Sequence, residues 1–132
     1  SILAGSKDLI KKAYRIRKLV GGGMRQAGII ASAGIFALDN NVQRLDCDHQ
    51  NAILLAQKLH KINGISVIPE HVDTNMVFMK IPEGSKTKIQ KFCFNNGILI
   101  NADSDTIRLV THLDISVEKI NFFVDKLKSF FS

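Results

Sequence analysis

The hydrophobic period changes once along this 132-residue chain, and that change restricts the folds open to it. As far as about Leu59, apolar residues recur every three or four positions, the spacing that lines one face of a helix. Beyond Gly64 they collect in short runs, some of them alternating, bounded by Pro, Gly and Asn as strands are. A chain that is helical first and then mixes short strands with helices builds a small sheet backed by helices. The fold class is α/β, with an α+β-like small domain whose sheet is mainly antiparallel.

In the helical half, Ser6 is placed to cap a helix in which Leu9, Ile10, Ala13, Ile16 and Leu19 recur. That helix stops at Gly21-Gly22-Gly23. Met24 to Leu38 is small and apolar (Ala27, Gly28, Ile29, Ile30, Ala31, Ala33, Gly34), which predicts a buried helix against which other backbone packs closely. Asp39-Asn40-Asn41 interrupts it. A third helix runs to about Leu59 with Val42, Leu45, His49, Ala52, Ile53, Ala56 and Leu59 on one face, and Asn63-Gly64 serves as its C-cap. In the second half, strands are predicted at Ile65–Ile68, Asn75–Ile81, Ile98–Ile100 and Ile107–Thr111. Helices are predicted from Lys86 to Phe94 and from about Ser116, the last with Ile120, Phe123, Val124, Leu127, Phe130 and Phe131 as its apolar stripe. Hydrophobic content of 45% suffices for a core, and 23% charged residues gives no sign of disorder. No apolar run reaches the length of a membrane span, so no membrane partner is expected.

Charge is concentrated in one place. Residues 1–25 hold seven basic residues (Lys7, Lys11, Lys12, Arg15, Arg17, Lys18, Arg25) against Asp8 alone, while residues 26–132 balance, so the net +6 belongs to one segment. A nucleic-acid binder with a broad basic face is therefore not expected; a small basic domain using Lys7–Arg25 ranks as the last alternative. Lys18 and Arg25 flank the three glycines, and a helix N-terminus just beyond would aim free N–H groups outward. The combination reads as a site for an anion, most economically a phosphate. The loop matches neither the ATP nor the dinucleotide glycine fingerprint.

Arg108 stands in the apolar run Ile107-Arg108-Leu109-Val110, where alternation puts it on one face with Val110. A guanidinium there needs an anionic partner or an exit to solvent. Pattern alone favours a structural salt bridge with Asp103, Asp105 or Asp114 over a clamp on a substrate carboxylate. His112 reads as a structural, hydrogen-bonded residue. His49, His60 and His71 form no metal spacing with one another or with Cys47 and Cys93, so no metal is expected and both thiols are read as reduced.

Several blocks carry a family resemblance. Lys18-Leu19-Val20-Gly21-Gly22-Gly23-Met24-Arg25-Gln26-Ala27-Gly28, then Ala37-Leu38-Asp39-Asn40-Asn41-Val42-Gln43-Arg44-Leu45 with Asp48-His49, resemble the low-specificity L-threonine aldolases. Thr74-Asn75-Met76-Val77-Phe78 and Arg108-Leu109-Val110-Thr111-His112-Leu113-Asp114 resemble further blocks of that family, in the same order. The resemblance implies a pyridoxal 5'-phosphate enzyme of the aspartate-aminotransferase fold type, a homotetramer built from tight dimers. It implies retro-aldol cleavage of L-threonine or L-allo-threonine, a small amino-acid substrate, to glycine and acetaldehyde. Lys18 and Arg25 match cations that reach the cofactor phosphate in the adjoining subunit. Arg108 matches the arginine that grips the substrate carboxylate, which reverses the preference drawn from pattern.

One departure matters. The family's Schiff-base lysine stands in a Ser-Lys-Gly-type block shortly before a segment whose tail Ser1-Ile2-Leu3-Ala4-Gly5 resembles, and Lys7, Lys11 and Lys12 do not occupy its position. The expectation is a C-terminal portion, with residues 1–41 ending the large cofactor-binding domain and residues 42–132 forming the small domain. Its partner would be a preceding large domain, its setting cytoplasmic, and the chain alone inactive. A non-catalytic oligomerisation module, associating through the apolar helix 24–38, is the alternative of another class.

Overall fold

Ser6 opens the first helix as its side chain predicts: in the computed structural model its hydroxyl oxygen accepts the Leu9 amide at 3.3 Å. The structure describes residues 2–132 and divides into two units, the first ending at Gln43 and the second running from Arg44 to Ser132. Helix α1 spans Lys7–Leu19, with Asp8 in its first turn and Arg17 and Lys18 in its last, an order that suits the helix dipole. It stops in a Schellman motif. The Gly22 amide donates to the Arg17 carbonyl at 2.7 Å and the Gly21 amide to the Lys18 carbonyl at 3.2 Å. Gly21 sits at φ +84°, and a Cβ on Gly22 would lie 2.9 Å from the Arg17 oxygen, so both glycines answer to the end of α1.

Helix α2 spans Gly28–Asn40 and does not start at Met24. Residues 25–27 form a turn in which Gln26 has φ 51°, and the N-cap Ala27 offers no side-chain acceptor. No Ser, Thr, Asp or Asn stands between Gly21 and Gly28, so nothing local fixes an earlier start. The expected buried helix is solvent-facing in this chain. None of its residues is buried, and Ile29 is 79% and Phe36 63% exposed. Two helices of 13 residues each cannot enclose a helix that is apolar on every side.

The second unit holds the core. Helix α3, Leu45–Leu59, buries Asp48, Ala52, Leu55, Ala56 and Leu59, a face rotated from the expected one, while Leu45 and Ile53 point outward. Asp48 tolerates burial because Arg44 meets both its carboxylate oxygens, at 2.9 and 3.0 Å. The helix ends at Leu59 with His60 as C-cap, so Gly64 serves a later turn and is not the cap. Strand β1, Met76–Lys80, pairs antiparallel with β2, Thr106–Val110, in the register Met76↔Val110, Phe78↔Arg108, Lys80↔Thr106.

Two predicted strands are absent. Ile65–Ile68 contributes only a bridge between Ser66 and Lys80, because Pro69 then starts a 3-10 turn over Pro69–His71. Ile98–Ile100 follows the Schellman cap of helix α4 (Lys86–Asn95) and pairs with neither strand. In that cap the Gly97 and Ile98 amides bond the Phe94 and Cys93 carbonyls at 3.0 and 2.9 Å. Helix α5, Val117–Phe131, starts at Ser116, whose oxygen accepts the Lys119 amide at 3.4 Å. α3 packs on β1 and α5, and α4 on α5, where the Phe92 and Phe130 rings lie 5.0 Å apart. Val77, Met79, Ile107, Ile89, Ile120, Val124 and Leu127 are among the other residues of the core.

Candidate functional site

Alternation along β2 settles where each side chain points. Ile107 and Leu109 turn to the core, and Arg108 and Val110 turn outward, as the sequence pattern requires. Arg108 is exposed, and among the described residues no carboxylate lies within ion-pair distance of it, so the salt bridge to Asp103, Asp105 or Asp114 does not form. A cleft of about 680 Å³ opens beside it. β2 from Arg108 to Val110 forms one wall, Gly97 to Asn101 another, and Ile115, Lys119, Phe122 and Phe123 close the third side. The lining is mostly apolar, with Arg108 and Lys119 among it. An amphiphilic anion fits such a place: a carboxylate towards Arg108 with its carbon skeleton against apolar side chains.

Two further groups line the cleft: Lys119, which the residue pattern did not single out, and His112, which it read as structural. Lys119, on the first turn of α5, donates from Nζ to the Asp114 carbonyl at 2.9 Å, which pins the preceding loop. His112 Nδ1 accepts the Asp114 amide at 3.3 Å, so Nε2 bears the proton in the neutral ring. The Asp114 carboxylate lies 3.8 Å from His112. Glu118, beside them, has its carboxyl held below the usual range, first by the Ser116 hydroxyl and then by a backbone N–H.

A buried polar joint supports this end of the strand. The Thr111 hydroxyl, 1% exposed, donates to the Asp48 carbonyl at 2.6 Å, and Asn75 Nδ2 donates to the Thr111 carbonyl at 2.8 Å. Asn51 Nδ2 donates to the Ile115 carbonyl at 3.0 Å. The signal in the sequence was the pair of polar residues, Asn75 and Thr111, that bound the apolar runs of β1 and β2.

Lys18 and Arg25 belong to the first unit and Arg108 to the second. Both first-unit cations are exposed, and neither has an ion-pair partner among the described residues. The backbone beside them behaves differently from expectation. Two of the three glycine amides are spent on the end of α1, and the N-terminus of α2 lies four residues further on. Gly21 and Gly22 therefore offer no free backbone donors, so the glycine loop is not an anion cradle.

Other candidates resolve into structure. His60 Nδ1 meets the Val67 carbonyl at 2.8 Å. Cys47 and Cys93 are free thiols, and burial pushes Cys93 up to about 11. Among the described residues there is no cluster of three or more His, Cys, Asp or Glu able to hold a metal ion, and no helix is long and apolar enough to cross a membrane.

Comparison with known proteins extends these observations. A low specificity L-threonine aldolase of Escherichia coli (strain K12) is 48% identical over 120 residues, which is 91% of this chain and 35% of that protein. Low-specificity L-threonine aldolase 1 of Arabidopsis thaliana is 40% identical over 126 residues, again 35% of its length. The alanine racemase TOXG of Cochliobolus carbonum matches at 27% over 133 residues. The chain thus spans about a third of the length of the relatives it matches. The family model of the beta-eliminating lyases matches residues 1–82, across the first unit and on through β1. By that match, and with the likeness to threonine aldolases running through both units, the chain belongs to the beta-eliminating lyase family.

Proposed function

We propose that the polypeptide containing this chain is a pyridoxal phosphate-dependent aldolase that cleaves L-threonine or L-allo-threonine to glycine and acetaldehyde. The observation that carries this reading is the 48% identity to a threonine aldolase over 91% of the chain. The racemase match is far weaker and supports only the broader chemistry of amino-acid substrates.

A phosphate dianion needs cations free of carboxylates, and Lys18 and Arg25 are exposed and unpaired among the described residues. They fit it by side chain. Gly21 and Gly22 do not add backbone donors, since their amides are committed to α1. When bound, the cofactor supplies the electron sink for breaking the Cα–Cβ bond. This chain's own part is binding and orientation. Arg108 takes the substrate carboxylate in a planar two-point grip, and the apolar lining of its cleft receives the carbon skeleton. Lys18 and Arg25 hold the phosphate of an adjoining subunit in a homodimer or homotetramer. The Schiff-base lysine belongs to the preceding large domain, so the chain alone is inactive.

The test is acetaldehyde release by the full-length polypeptide with pyridoxal phosphate and either threonine diastereomer. Release from at least one is expected; none from either overturns the assignment. One observation favours a second reading, an association module without catalysis. Ile29, Ile30, Ile35, Phe36 and Leu38 of α2 are all at least 60% exposed. A full-length protein that assembles but binds no pyridoxal phosphate would select it.

A further inference from the structure

Arg108 can act only if β2 lies in the right register on β1, and two different devices decide that register. Thr111 donates its amide to the Asn75 carbonyl and Ile81 donates its amide to the Asp105 carbonyl, both at 2.9 Å. Bonded pairs therefore fall at Asn75/Thr111, Val77/Leu109, Met79/Ile107 and Ile81/Asp105. Phe78↔Arg108 is a non-bonded pair, with both side chains on the outer face. Sliding β2 by one residue would bury Arg108 and expose Ile107 and Leu109, so the apolar pattern forbids it.

A slide of two residues is another matter. It keeps every side chain on its own face and moves Arg108 by about 7 Å along the sheet. The apolar pattern has nothing to say against it, and two strands of five residues each give little else to resist it. What does resist it is the polar joint at the end of β2. The Thr111 hydroxyl reaches the Asp48 carbonyl on α3 at 2.6 Å and lies 3.3 Å from the Asn75 carbonyl, while Asn75 Nδ2 holds the Thr111 carbonyl at 2.8 Å. Asp48 is fixed in turn by both Arg44 nitrogens. Any slide by two residues breaks the three Thr111 contacts at once, leaves the Arg44–Asp48 pair in place, and strands buried polar atoms without partners.

We propose that Thr111, with Asn75 and the Asp48 carbonyl, is a register clasp and that Thr111 is a positioning residue for Arg108. The part concerning substrate rests on the aldolase reading; the part concerning register does not. Without the clasp, in-register molecules become a fraction of the population and ligand must select them. If that fraction falls to a tenth, apparent substrate affinity falls about tenfold. At saturation all molecules are drawn into register, so the effect is on KM and not on kcat.

Two measurements on the Thr111→Val variant separate these claims. In the full-length enzyme KM for threonine should rise about tenfold with kcat within about twofold, and Thr111→Ser should restore KM. In the 132-residue chain, carrying Cys47→Ser, cysteines at the paired positions Phe78→Cys and Arg108→Cys should cross-link when oxidised. Adding Thr111→Val should lower that yield and raise it for Phe78→Cys with Val110→Cys or Thr106→Cys, the pairs brought together by a two-residue slide. Asn75→Ala, which cuts the other arm, gives the same readouts if Thr111→Val does not fold. An unchanged cross-linking pattern overturns the clasp whatever the kinetics. A full-length protein without aldolase activity overturns the functional reading and leaves the cross-links to decide the register.

Discussion

Arg108 carries the sharpest expectation at the level of single residues. An ammonium cannot reproduce its planar fork, so Arg108→Lys in the full-length protein should lose one charge-assisted hydrogen bond to the carboxylate. Such a bond is worth about 1.5–3 kcal/mol, so KM should rise about ten- to hundredfold while cofactor affinity holds. Titrating pyridoxal phosphate by absorbance alongside the kinetics checks both halves; a joint loss would assign Arg108 to the cofactor instead. Cys93 gives a second test, independent of catalysis. Burial raises its thiol from 9.0 to about 11, so between those values the unfolded chain has lost a proton that the native state retains. Stability from this group is fully present below about 9 and is lost as pH rises towards 11, at most about 1.4 kcal/mol per pH unit. Urea midpoints at pH 8 and 10.5 should therefore fall further for the parent chain than for Cys93→Ala.

Among the elements, the end of α1 shows what the residue pattern reveals and what it hides. Three consecutive glycines announced a backbone constraint, and a positive φ at Gly21 and a close approach at Gly22 are there. The direction of the constraint was not legible, because the same glycines cap a helix or cradle an anion depending on where their amides point. Gly21→Ala should cost about 1–2 kcal/mol locally. It should speed hydrogen exchange in the last turn of α1 while leaving global unfolding unchanged, since α1 contributes nothing to the core. The same limit explains the strands. Val77, Met79, Ile107 and Leu109 alternate and could be placed in advance, whereas Ile65–Ile68 is cut short by Pro69 after one bridge and Ile98–Ile100 is an apolar run without an alternating face. Whether such runs pair depends on neighbours distant in sequence. For the site, Arg108 was legible from its charge in an apolar run. Lys119 was not, because a lysine early in a helix is ordinary, and only the fold carries it to the cleft.

Over the whole molecule, the core and the charge occupy different regions. Every buried residue among those described follows Arg44, while the excess positive charge precedes Gln26. Among the described residues the first unit has none buried, and its apolar α2 is exposed, a surface that favours association. The isolated chain should self-associate as its concentration rises, and Ile29→Glu with Phe36→Lys should reduce that, as read by light scattering. A chain that stays monomeric at millimolar concentration would count against it.

The outer edge of β2 has a consequence of another kind. Thr106 is satisfied there by the Ser104 hydroxyl, but the outward N–H and C=O groups of Arg108 and Val110 meet no partner among the described residues. An open ribbon edge next to exposed Leu99 and Val110 is a template on which further strands can stack. Arg108 is the one charge on that stretch of edge, so repulsion between like guanidiniums guards it against growth into fibrils. The residue proposed to hold a substrate thus also acts as a gatekeeper, and neutralising it would trade a binding defect for a solubility defect.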